Sequence, residues 1–313
     1  MNKVVLAPQG FKESLTGMEI AEAMSIGVKS IWPDAQTVLI PVADGGDGTL
    51  QALVDSSGGE VRTAMAEDAI GRTIEAEWGA LGNGTTAVIE VANAIGLARV
   101  EQEERDVRNA STFGVGQLFI EALDAGFSDF IIGVGGSATN DGGAGMIQAM
   151  GGKLTNANGD EIARGGIALS DLANIDVSGL DPRMVGANVV VACDVNNPLC
   201  GTRGASAVFG PQKGATYKDI QELDVALGNF AEIIAKDLHT DVAKIPGAGA
   251  SGGLGAGLMG FFDARLRLGA DIVLEALSLD KHLEDADLVI VGEGQFDRST
   301  VFNKSPVAVA QRA

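Results

Sequence analysis

The sequence predicts an α/β fold in which a parallel sheet is covered by helices on both faces. Several short runs of Val, Ile and Leu are apolar throughout, which is typical of parallel strands that are buried on both sides. Segments with helical periodicity lie between these runs, and such alternation is typical of a doubly wound sheet. The five predicted strands are Lys3–Ala7, Thr37–Val42, Phe130–Val134, Val189–Ala192 and Asp287–Val291.

The predicted helices carry recognisable end signals. Thr16 and Glu19 have the spacing of a capping box, in which each side chain accepts a hydrogen bond from the other residue's backbone N–H. Apolar residues then recur on one face, and Pro33 follows the end of this first helix. Two further helices are predicted. Ser111–Ala125 ends before Gly126, and Lys218–Leu238 begins after the candidate N-cap residue Thr216.

Two stretches interrupt this alternation. Residues 60–105 contain short strands separated by turns such as Asn83-Gly84, and residues 151–186 are irregular around Asn158-Gly159. We interpret both stretches as parts of a second, smaller domain that interrupts the first. The predicted boundaries assign residues 1–59, 107–150 and 268–313 to the first domain, and residues 60–106 and 151–267 to the inserted one.

The composition restricts the classes of function. The chain has 313 residues, and its 42 Asp and Glu against 22 Lys and Arg give a formal net charge of -20. Such a surface repels phosphate backbones and anionic membranes, so we expect neither nucleic acid nor a membrane as a partner. Cys193 and Cys200 are too few for a disulfide framework, and no apolar run is long enough to span a bilayer, so we expect a cytoplasmic protein. The 44 glycines indicate loops in which the backbone approaches a ligand closely.

A cluster of polar residues follows each of the five predicted strands. Open α/β sheets bind their ligands at the carboxyl ends of their strands. Asp and Gly are also ordinary turn formers, which explains any one of these loops, but five such loops at one edge favour a binding site. The clusters are Gln9–Ser14, Asp44–Thr49, Gly135–Gly143, Asp194–Pro198 and Gly292–Asp297.

The residue types in these loops indicate phosphoryl transfer. Converging carboxylates repel one another unless a cation lies among them, and oxygen ligands of this kind suit Mg²⁺. Glycine-rich loops before helices offer backbone N–H groups to phosphate oxygens, and an Asp can orient or deprotonate the acceptor hydroxyl. The acids placed where a metal would gather them are Asp44, Asp47, Asp141, Asp194, Glu293 and Asp297.

Other familiar motifs are absent or weak. The sequence has no Gly-x-x-x-x-Gly-Lys-Ser/Thr and hence no P-loop. Residues 133–138 match the dinucleotide fingerprint after a strand, but no strand ending in an acid follows at the distance that a ribose contact needs. A second match, at residues 247–255, favours close helix packing or phosphate binding. His239 and His282 have the surroundings of surface histidines, so no Ser-His-Asp site is expected.

Taken together, the loops closely resemble those of the bacterial type 1 glycerate kinase family, the glycerate 2-kinases. The similarity extends over nearly the whole chain. The matching segments are Phe11–Leu15, Pro41–Thr49, Ile132–Gly145, Ala192–Val195, Asn197–Leu199, Phe209–Ala215, Pro246–Gly255 and Val291–Gly294.

The resemblance implies ATP- and Mg²⁺-dependent phosphorylation of D-glycerate, usually at the 2-hydroxyl, to give 2-phosphoglycerate. It also implies that the first domain is Rossmann-like, with the second α/β domain inserted into it and the ligand cleft between the two. Members of the family are longer, so we expect a C-terminally shortened chain with an incomplete Rossmann-like domain. For the oligomeric state we expect a monomer or a homodimer.

We assign roles to residues of these loops from their positions. The catalytic candidates are Asp194, which orients or deprotonates the hydroxyl, and Lys12. The candidates for substrate binding are Lys12, Ser14, Arg72, Asn140 and Asn197. The candidates for binding the nucleotide phosphates are Gly135, Gly136, Ser137, Lys213, Gly249, Ser251, Gly252 and Gly253. The candidate metal ligands are Asp44, Asp47 and Glu293.

Four positions depart from the family pattern. Gln9-Gly10 stands where Asp-Ser is usual, Gln295 where an Arg is common, and Asn303 where a Gly usually precedes the Lys. These changes remove a carboxylate, a hydroxyl and a phosphate clamp. They leave open a catalytically impaired homologue that still binds ligands. A second alternative, a nucleotide-linked oxidoreductase acting on a small 2-hydroxy acid, rests on the glycine motif at residues 133–138.

Overall fold

The computed structural model describes residues 1–11, 14–43, 48–295 and 305–313, and it confirms the predicted α/β fold. The described strands form a three-stranded parallel sheet, a six-stranded mixed sheet and a two-stranded antiparallel sheet. The strands are β1 (Lys3–Pro8), β2 (Gln36–Leu39), β3 (Glu60–Glu67), β4 (Thr73–Ala80), β5 (Thr86–Glu90), β6 (Asp129–Gly133), β7 (Lys153–Thr155), β8 (Asn174–Asp176), β9 (Asn188–Ala192), β10 (Arg265–Arg267) and β11 (Leu288–Gly292).

Helices connect most of these strands. The α-helices are α1 (Gly17–Ile31), α2 (Thr49–Ser57), α3 (Ala92–Ile95), α4 (Phe113–Asp124), α5 (Ala144–Ala149), α6 (Ala205–Phe209), α7 (Tyr217–Leu238), α8 (Ala250–Phe262), α9 (Gly269–Ala276), α10 (Leu279–Leu283) and α11 (Ser305–Arg312). Short 3₁₀ turns cover Leu97–Arg99, Gln102–Glu104, Gly166–Asp171, Pro182–Met184 and Pro211–Lys213. No helix in the described part of the chain combines the length and the apolarity that crossing a membrane requires.

In the three-stranded sheet, β1 lies between β11 and β2. Val4 to Ala7 are completely buried, which explains why this run is apolar throughout. The parallel register places Leu6 opposite Ile290 of β11 and Leu39 of β2. At the carboxyl end, the Gln9 N–H donates to the Gly292 carbonyl at 2.8 Å, so the loops that follow β1 and β11 begin side by side.

The six-stranded sheet has the order β10-β9-β6-β5-β4-β3. Its strands β10, β9, β6 and β5 are parallel, whereas β3 and β4 form an antiparallel hairpin that joins the sheet through β5. The largest hydrophobic core packs against this sheet, and it includes Trp78 of β4, Phe130 of β6 and Phe119 of α4. The rings of Phe119 and Phe130 lie 4.9 Å apart between centroids.

The sheet membership of two predicted strands needs correction. The strands predicted at residues 130–134 and 189–192 are β6 and β9, and they pair within the six-stranded sheet instead of lying beside β1. The strand in residues 107–150, which we assigned to the first domain, thus belongs to the six-stranded sheet, and the domain boundaries stay a prediction. An uninterrupted apolar run shows that a strand is buried on both faces but not which strand is its neighbour. The described residues of 60–267 consequently carry the larger sheet.

The predicted helix ends agree with the structure. Thr16 caps α1 in a complete capping box with Glu19, and Thr216 caps α7 in the same way with Asp219. α4 begins two residues later than predicted, and Gly126 after its end has a φ of 91°, which glycine adopts without strain. These signals are local in the sequence, which is why they can be recognised without the fold.

Candidate active site

The ends of strands from both sheets line one cleft with a volume of about 1420 Å³. The five predicted polar loops all contribute described residues to its wall, although their strands belong to two sheets. This volume exceeds the roughly 300–1,000 Å³ of a typical small-molecule pocket. The cleft therefore has room for two ligands side by side. Predicted site residues on its wall are Ser14, Gly135, Gly136, Ser137, Asp194, Lys213, Ser251 and Glu293.

Asp194 follows β9 and is exposed in the cleft. Its Oδ1 accepts a hydrogen bond at 3.0 Å from the N–H of Gly269, the first residue of α9. The amide groups at a helix N-terminus favour negative charge, so α9 holds the carboxylate in place. A carboxylate fixed in this way can orient a hydroxyl group and accept its proton.

Three successive backbone N–H groups are available in the loop after β6. Within the described part of the chain, the N–H groups of Gly135, Gly136 and Ser137 donate no hydrogen bond, and all three residues line the cleft. Gly136 has a φ of 68°, a left-handed conformation that turns neighbouring N–H groups toward a common side. Such a loop offers donors to a phosphate group.

Lys213 is a buried lysine on the wall of the cleft. It is only 2% exposed, and its Nζ donates to Ser137 Oγ at 3.0 Å and to the Thr139 carbonyl at 2.6 Å. Burial lowers the pKa of Lys213 to about 7, and the negative charge of Asp141 opposes this shift. Because burying a cation costs free energy, its position on a cleft wall indicates a role in binding.

Ser251 lines the cleft in a left-handed backbone conformation, with a φ of 53° and a ψ of 42°. A non-glycine residue in this region costs about 1–3 kcal/mol and is typical of functional sites. Its Oγ is buried and has no hydrogen-bond partner among the described residues. An unpaired hydroxyl on a strained backbone beside a cleft is suited to contact a ligand.

Close packing explains why glycine occupies the other positions that were predicted to bind phosphate. Gly249, Gly252 and Gly253 do not line the cleft. A Cβ at Gly252 would lie 2.0 Å from the Thr139 carbonyl oxygen, and one at Gly249 would lie 2.4 Å from that of Pro198. These glycines let α8 approach the neighbouring loops, and the predicted contact with phosphate does not fit their positions.

Asp141 does not face the cleft, contrary to its predicted place among the metal-gathering acids. It is completely buried and accepts hydrogen bonds from Thr112 N and Oγ1 and from the N–H groups of Gly143 and Gly145. Burial raises the pKa of Asp141, and these hydrogen bonds oppose the rise. Its carboxylate ties the starts of α4 and α5 together.

The two predicted substrate amides are also engaged within the fold. Asn140 is buried, and its Nδ2 donates to Ser206 Oγ at 2.9 Å. Asn197 donates from Nδ2 to the Arg203 carbonyl at 2.8 Å. Neither residue lines the cleft, and burial of Asn140 leaves it no access to a ligand there, whereas a substrate contact by the half-buried Asn197 stays a prediction.

Arg72 lies in the β3–β4 turn and does not line the cleft. Its Nε donates to Asp68 Oδ2 at 2.6 Å, its Nη1 to Glu104 at 3.0 Å and its Nη2 to the Arg99 carbonyl at 2.9 Å. These hydrogen bonds raise the pKa of Arg72, with the one to Asp68 as the largest cause. The guanidinium therefore neutralises Asp68, which is 2% exposed, and the predicted contact with a substrate carboxylate does not fit.

Replacing Arg72 by glutamine is expected to lower stability without changing substrate affinity. Asp68 would lose its charged partner, and the loss is limited because 45% of the Arg72 side chain is exposed. We expect KM for the acceptor to stay within about twofold of the wild-type value. Steady-state kinetics and a thermal melt measure both quantities. A tenfold rise in KM with an unchanged melting temperature would restore Arg72 as a substrate ligand.

The predicted metal ligands lie partly outside the described residues. Asp44, Asp47, Asp297 and the catalytic candidate Lys12 are among the positions that the structure does not describe, whereas Glu293 lines the cleft after β11. Among residues 1–11, 14–43, 48–295 and 305–313, no group of three or more His, Cys, Asp or Glu side chains is placed to hold a metal ion. The magnesium site stays a prediction.

Sequence reasoning misses several polar residues that line the cleft. Gln51 and Asp55 lie one turn apart on α2 and are joined by a hydrogen bond of 2.6 Å, and Gln212 precedes the buried lysine. On the same wall, Gln9 of the first predicted polar loop has a buried Oε1 atom without a partner in the described part of the chain. Polar residues one turn apart on a helix that follows a glycine-rich loop are the signal that would have identified Gln51 and Asp55.

The loop after β6 does not have the form of a dinucleotide site. The fingerprint requires a helix that begins within the glycine motif. Here Ser137 instead forms an isolated β-bridge with Gly96, and α5 begins only at Ala144. The alternative of a nucleotide-linked oxidoreductase therefore loses the feature that supported it.

The cleft has room for two ligands and contains an anchored carboxylate, a buried cation and backbone N–H groups without an acceptor among the described residues. This combination is typical of an enzyme that transfers a phosphoryl group. Residues 4–313 match the profile of the Glycerate kinase family, and the chain belongs to this family. As a member, it is a kinase.

Individual relatives agree with this assignment. The Glycerate 2-kinase of Escherichia coli (strain K12) is 50% identical over 311 residues, which cover 99% of this chain and 82% of that protein. The Glycerate kinase of Halalkalibacterium halodurans is 51% identical over 313 residues, which cover 100% of this chain and 82% of that protein. A crystal structure assigned as glycerate kinase 2 from Salmonella typhimurium LT2 matches with a TM-score of 0.96 at 50% identity, covering 100% of this chain and 83% of the other.

Proposed function

We propose that the protein transfers the γ-phosphoryl group of ATP to the 2-hydroxyl of D-glycerate, and that it releases ADP and 2-phosphoglycerate in the cytoplasm. The observation that carries this proposal is Asp194, a carboxylate that α9 holds in a cleft large enough for a nucleotide and a three-carbon acid. The similarity to a relative named Glycerate 2-kinase supports the choice of acceptor and hydroxyl.

Asp194 is the proposed base. It orients the 2-hydroxyl and accepts its proton while the hydroxyl oxygen bonds to the γ-phosphorus and the bond from that phosphorus to the ADP oxygen breaks. The proton thus passes to the carboxylate, and the electron pair of the broken bond leaves with ADP. Ser14 on the cleft wall, with Lys12 of the same loop, would hold the acceptor.

The loop after β6 fits the phosphate groups of the nucleotide. Gly135, Gly136 and Ser137 supply three N–H groups that have no acceptor within the described residues, and Ser251 supplies a buried hydroxyl without a partner. The alignment of these donors before the reaction stabilises charge on the transferring group without rearrangement of the protein.

A magnesium ion would be held by carboxylates of the predicted polar loops. The candidate donors are all carboxylate oxygens, which Mg²⁺ prefers, and Glu293 is the one that the structure places on the wall. Glu293 would hold the ion together with Asp44 and Asp47 of the loop after β2. When bound, Mg²⁺ supplies neutralisation of the phosphate charge.

The test is an assay of ADP release with ATP, Mg²⁺ and D-glycerate, with and without EDTA. We expect ADP formation that requires both the acceptor and the metal, and a product whose ³¹P NMR spectrum is that of 2-phosphoglycerate. A product with the phosphate on the 3-hydroxyl would contradict the proposed regiochemistry. Binding of both ligands without ADP release would identify an impaired homologue. In a parallel reaction without ATP, reduction of added NAD⁺ by D-glycerate would identify an oxidoreductase.

A further inference from the structure

The contact between Lys213 and Ser137 carries a more specific inference about ligand recognition. We propose that Lys213 is a positioning residue that makes the Ser137 hydroxyl a hydrogen-bond donor to an anionic oxygen of the bound ligand. The inference rests on the proposed function, because the anionic oxygen is taken to belong either to the acceptor carboxylate or to a nucleotide phosphate.

The geometry of the pair fixes the direction of the hydroxyl proton. A charged lysine has three N–H donors and no acceptor, so at 3.0 Å from Nζ the Ser137 oxygen must accept. Its own proton then points away from Lys213. Within the described residues no acceptor takes that proton, and Ser137 lines the cleft, so the open position is on the ligand side.

Burial makes the pair a fixed feature of the site. Lys213 is 2% exposed and Ser137 is 4% exposed, so neither side chain is free to turn into bulk water. The Thr139 carbonyl holds the ammonium group from a second direction at 2.6 Å. A hydroxyl that accepts from a cation is also a stronger donor, because hydrogen bonds in a chain polarise one another.

Two charged side chains lie against the turn that carries Lys213. Asp141, in the loop that also contains Ser137, supports the positive charge. Arg105 donates from Nη1 to the Gln212 carbonyl at 3.1 Å, and its Cβ lies beside Gly214. α6 and the loop 249–253, which also pack near this turn, carry no charged residue. A bound anion would therefore add a second negative charge near the buried ammonium.

This arrangement predicts a particular dependence of affinity on pH. Burial lowers the pKa of Lys213 from 10.5 to about 7, so the ammonium form dominates below this pH. Above pH 7 the neutral amine can itself accept the Ser137 proton, and the hydroxyl is no longer held as a donor to the ligand. Anion affinity should therefore be greatest below pH 7 and should fall as the pH rises through it.

The test compares the dissociation constants of wild type, Ser137→Ala and Lys213→Met by titration calorimetry between pH 6 and pH 8.5. The three probes are D-glycerate, a non-hydrolysable ATP analogue and inorganic phosphate. At pH 6 we expect Ser137→Ala to bind one of the substrate probes about 10- to 100-fold more weakly than the wild type. This ratio should shrink toward one at pH 8.5. Lys213→Met should show the same weakening at pH 6.

The matched control is Ser206→Ala, which removes another buried hydroxyl from a side chain that does not line the cleft. We expect it to change the melting temperature and to leave all three dissociation constants within about twofold. A loss confined to D-glycerate assigns the carboxylate, and a loss confined to the ATP analogue assigns a phosphate. A purely structural role for the pair would lower the melting temperature without a pH-dependent affinity ratio.

The inference is overturned if Ser137→Ala binds every probe as the wild type does at pH 6, or if the wild type binds none of them. It is also overturned if the ratio of dissociation constants does not change with pH. Should Lys213→Met fail to fold, the comparison of wild type with Ser137→Ala still decides the matter. Failure of the proposed function is a separate result, because the wild type would then bind probes without releasing ADP in the presence of D-glycerate.

Discussion

The Asp194→Asn variant is expected to lose kcat by about 10²- to 10⁴-fold while keeping the native fold. Asparagine has the same shape and retains the Oδ1 atom that accepts from the Gly269 N–H, so the start of α9 stays capped. The amide cannot take up the proton of an acceptor hydroxyl. The loss should therefore appear in kcat, with a smaller change in KM, and the ADP-release assay measures both.

A second asparagine variant controls for the loss of one negative charge. Asp241 accepts from the Ala243 N–H at 3.2 Å and does not line the cleft, so Asp241→Asn makes the same chemical change away from the site. We expect its kcat to stay within about twofold of the wild type. If Asp194→Asn retains wild-type kcat, another group accepts the proton. If its kcat recovers fully at high Mg²⁺ concentration, Asp194 serves the metal instead.

The parts of the fold that the sequence reveals are those that neighbouring residues determine. The capping boxes at Thr16 and Thr216 and the hairpin turn at Asn83-Gly84 each involve contacts within four residues. The division into two sheets depends instead on which strand lies beside which. β6 is as apolar as β1, and its place beside β5 and β9 follows from packing of the whole chain.

The same distinction holds for the candidate site. The positions of the polar loops could be predicted, because the carboxyl end of a parallel strand is defined by the strand itself. The hydrogen-bond partners of the side chains in these loops could not be predicted. Lys213 meets Ser137 across 76 positions of the sequence, and Asp141 meets Thr112 across 29. Nothing near Arg72 in the sequence shows that its guanidinium donates hydrogen bonds to Glu104 and to the Arg99 carbonyl.

The Gly252→Ala variant is expected to be strongly destabilised, by at least about 3 kcal/mol. Gly252 has a φ of 68°, which an L-residue adopts only at a cost, and its Cβ would lie 2.0 Å from the Thr139 carbonyl oxygen. That carbonyl cannot move freely because it accepts from Lys213 Nζ, and the Gly252 carbonyl itself accepts from Gly142 N at 3.0 Å. The added methyl group must therefore displace α8 or the loop after β6.

Gly27→Ala is the matched control, since it adds the same methyl group at an exposed position inside α1 with nothing within 4 Å. There we expect stabilisation by about 0.5–1 kcal/mol, because alanine loses less backbone entropy in a helix than glycine does. Urea unfolding of both variants measures the two free energies. If the two variants had equal free energies of unfolding, the space between α8 and the Thr139 carbonyl would accommodate a methyl group. Because the displaced loop also carries Ser137, a folded Gly252→Ala protein should in addition bind the ATP analogue more weakly than Gly27→Ala does.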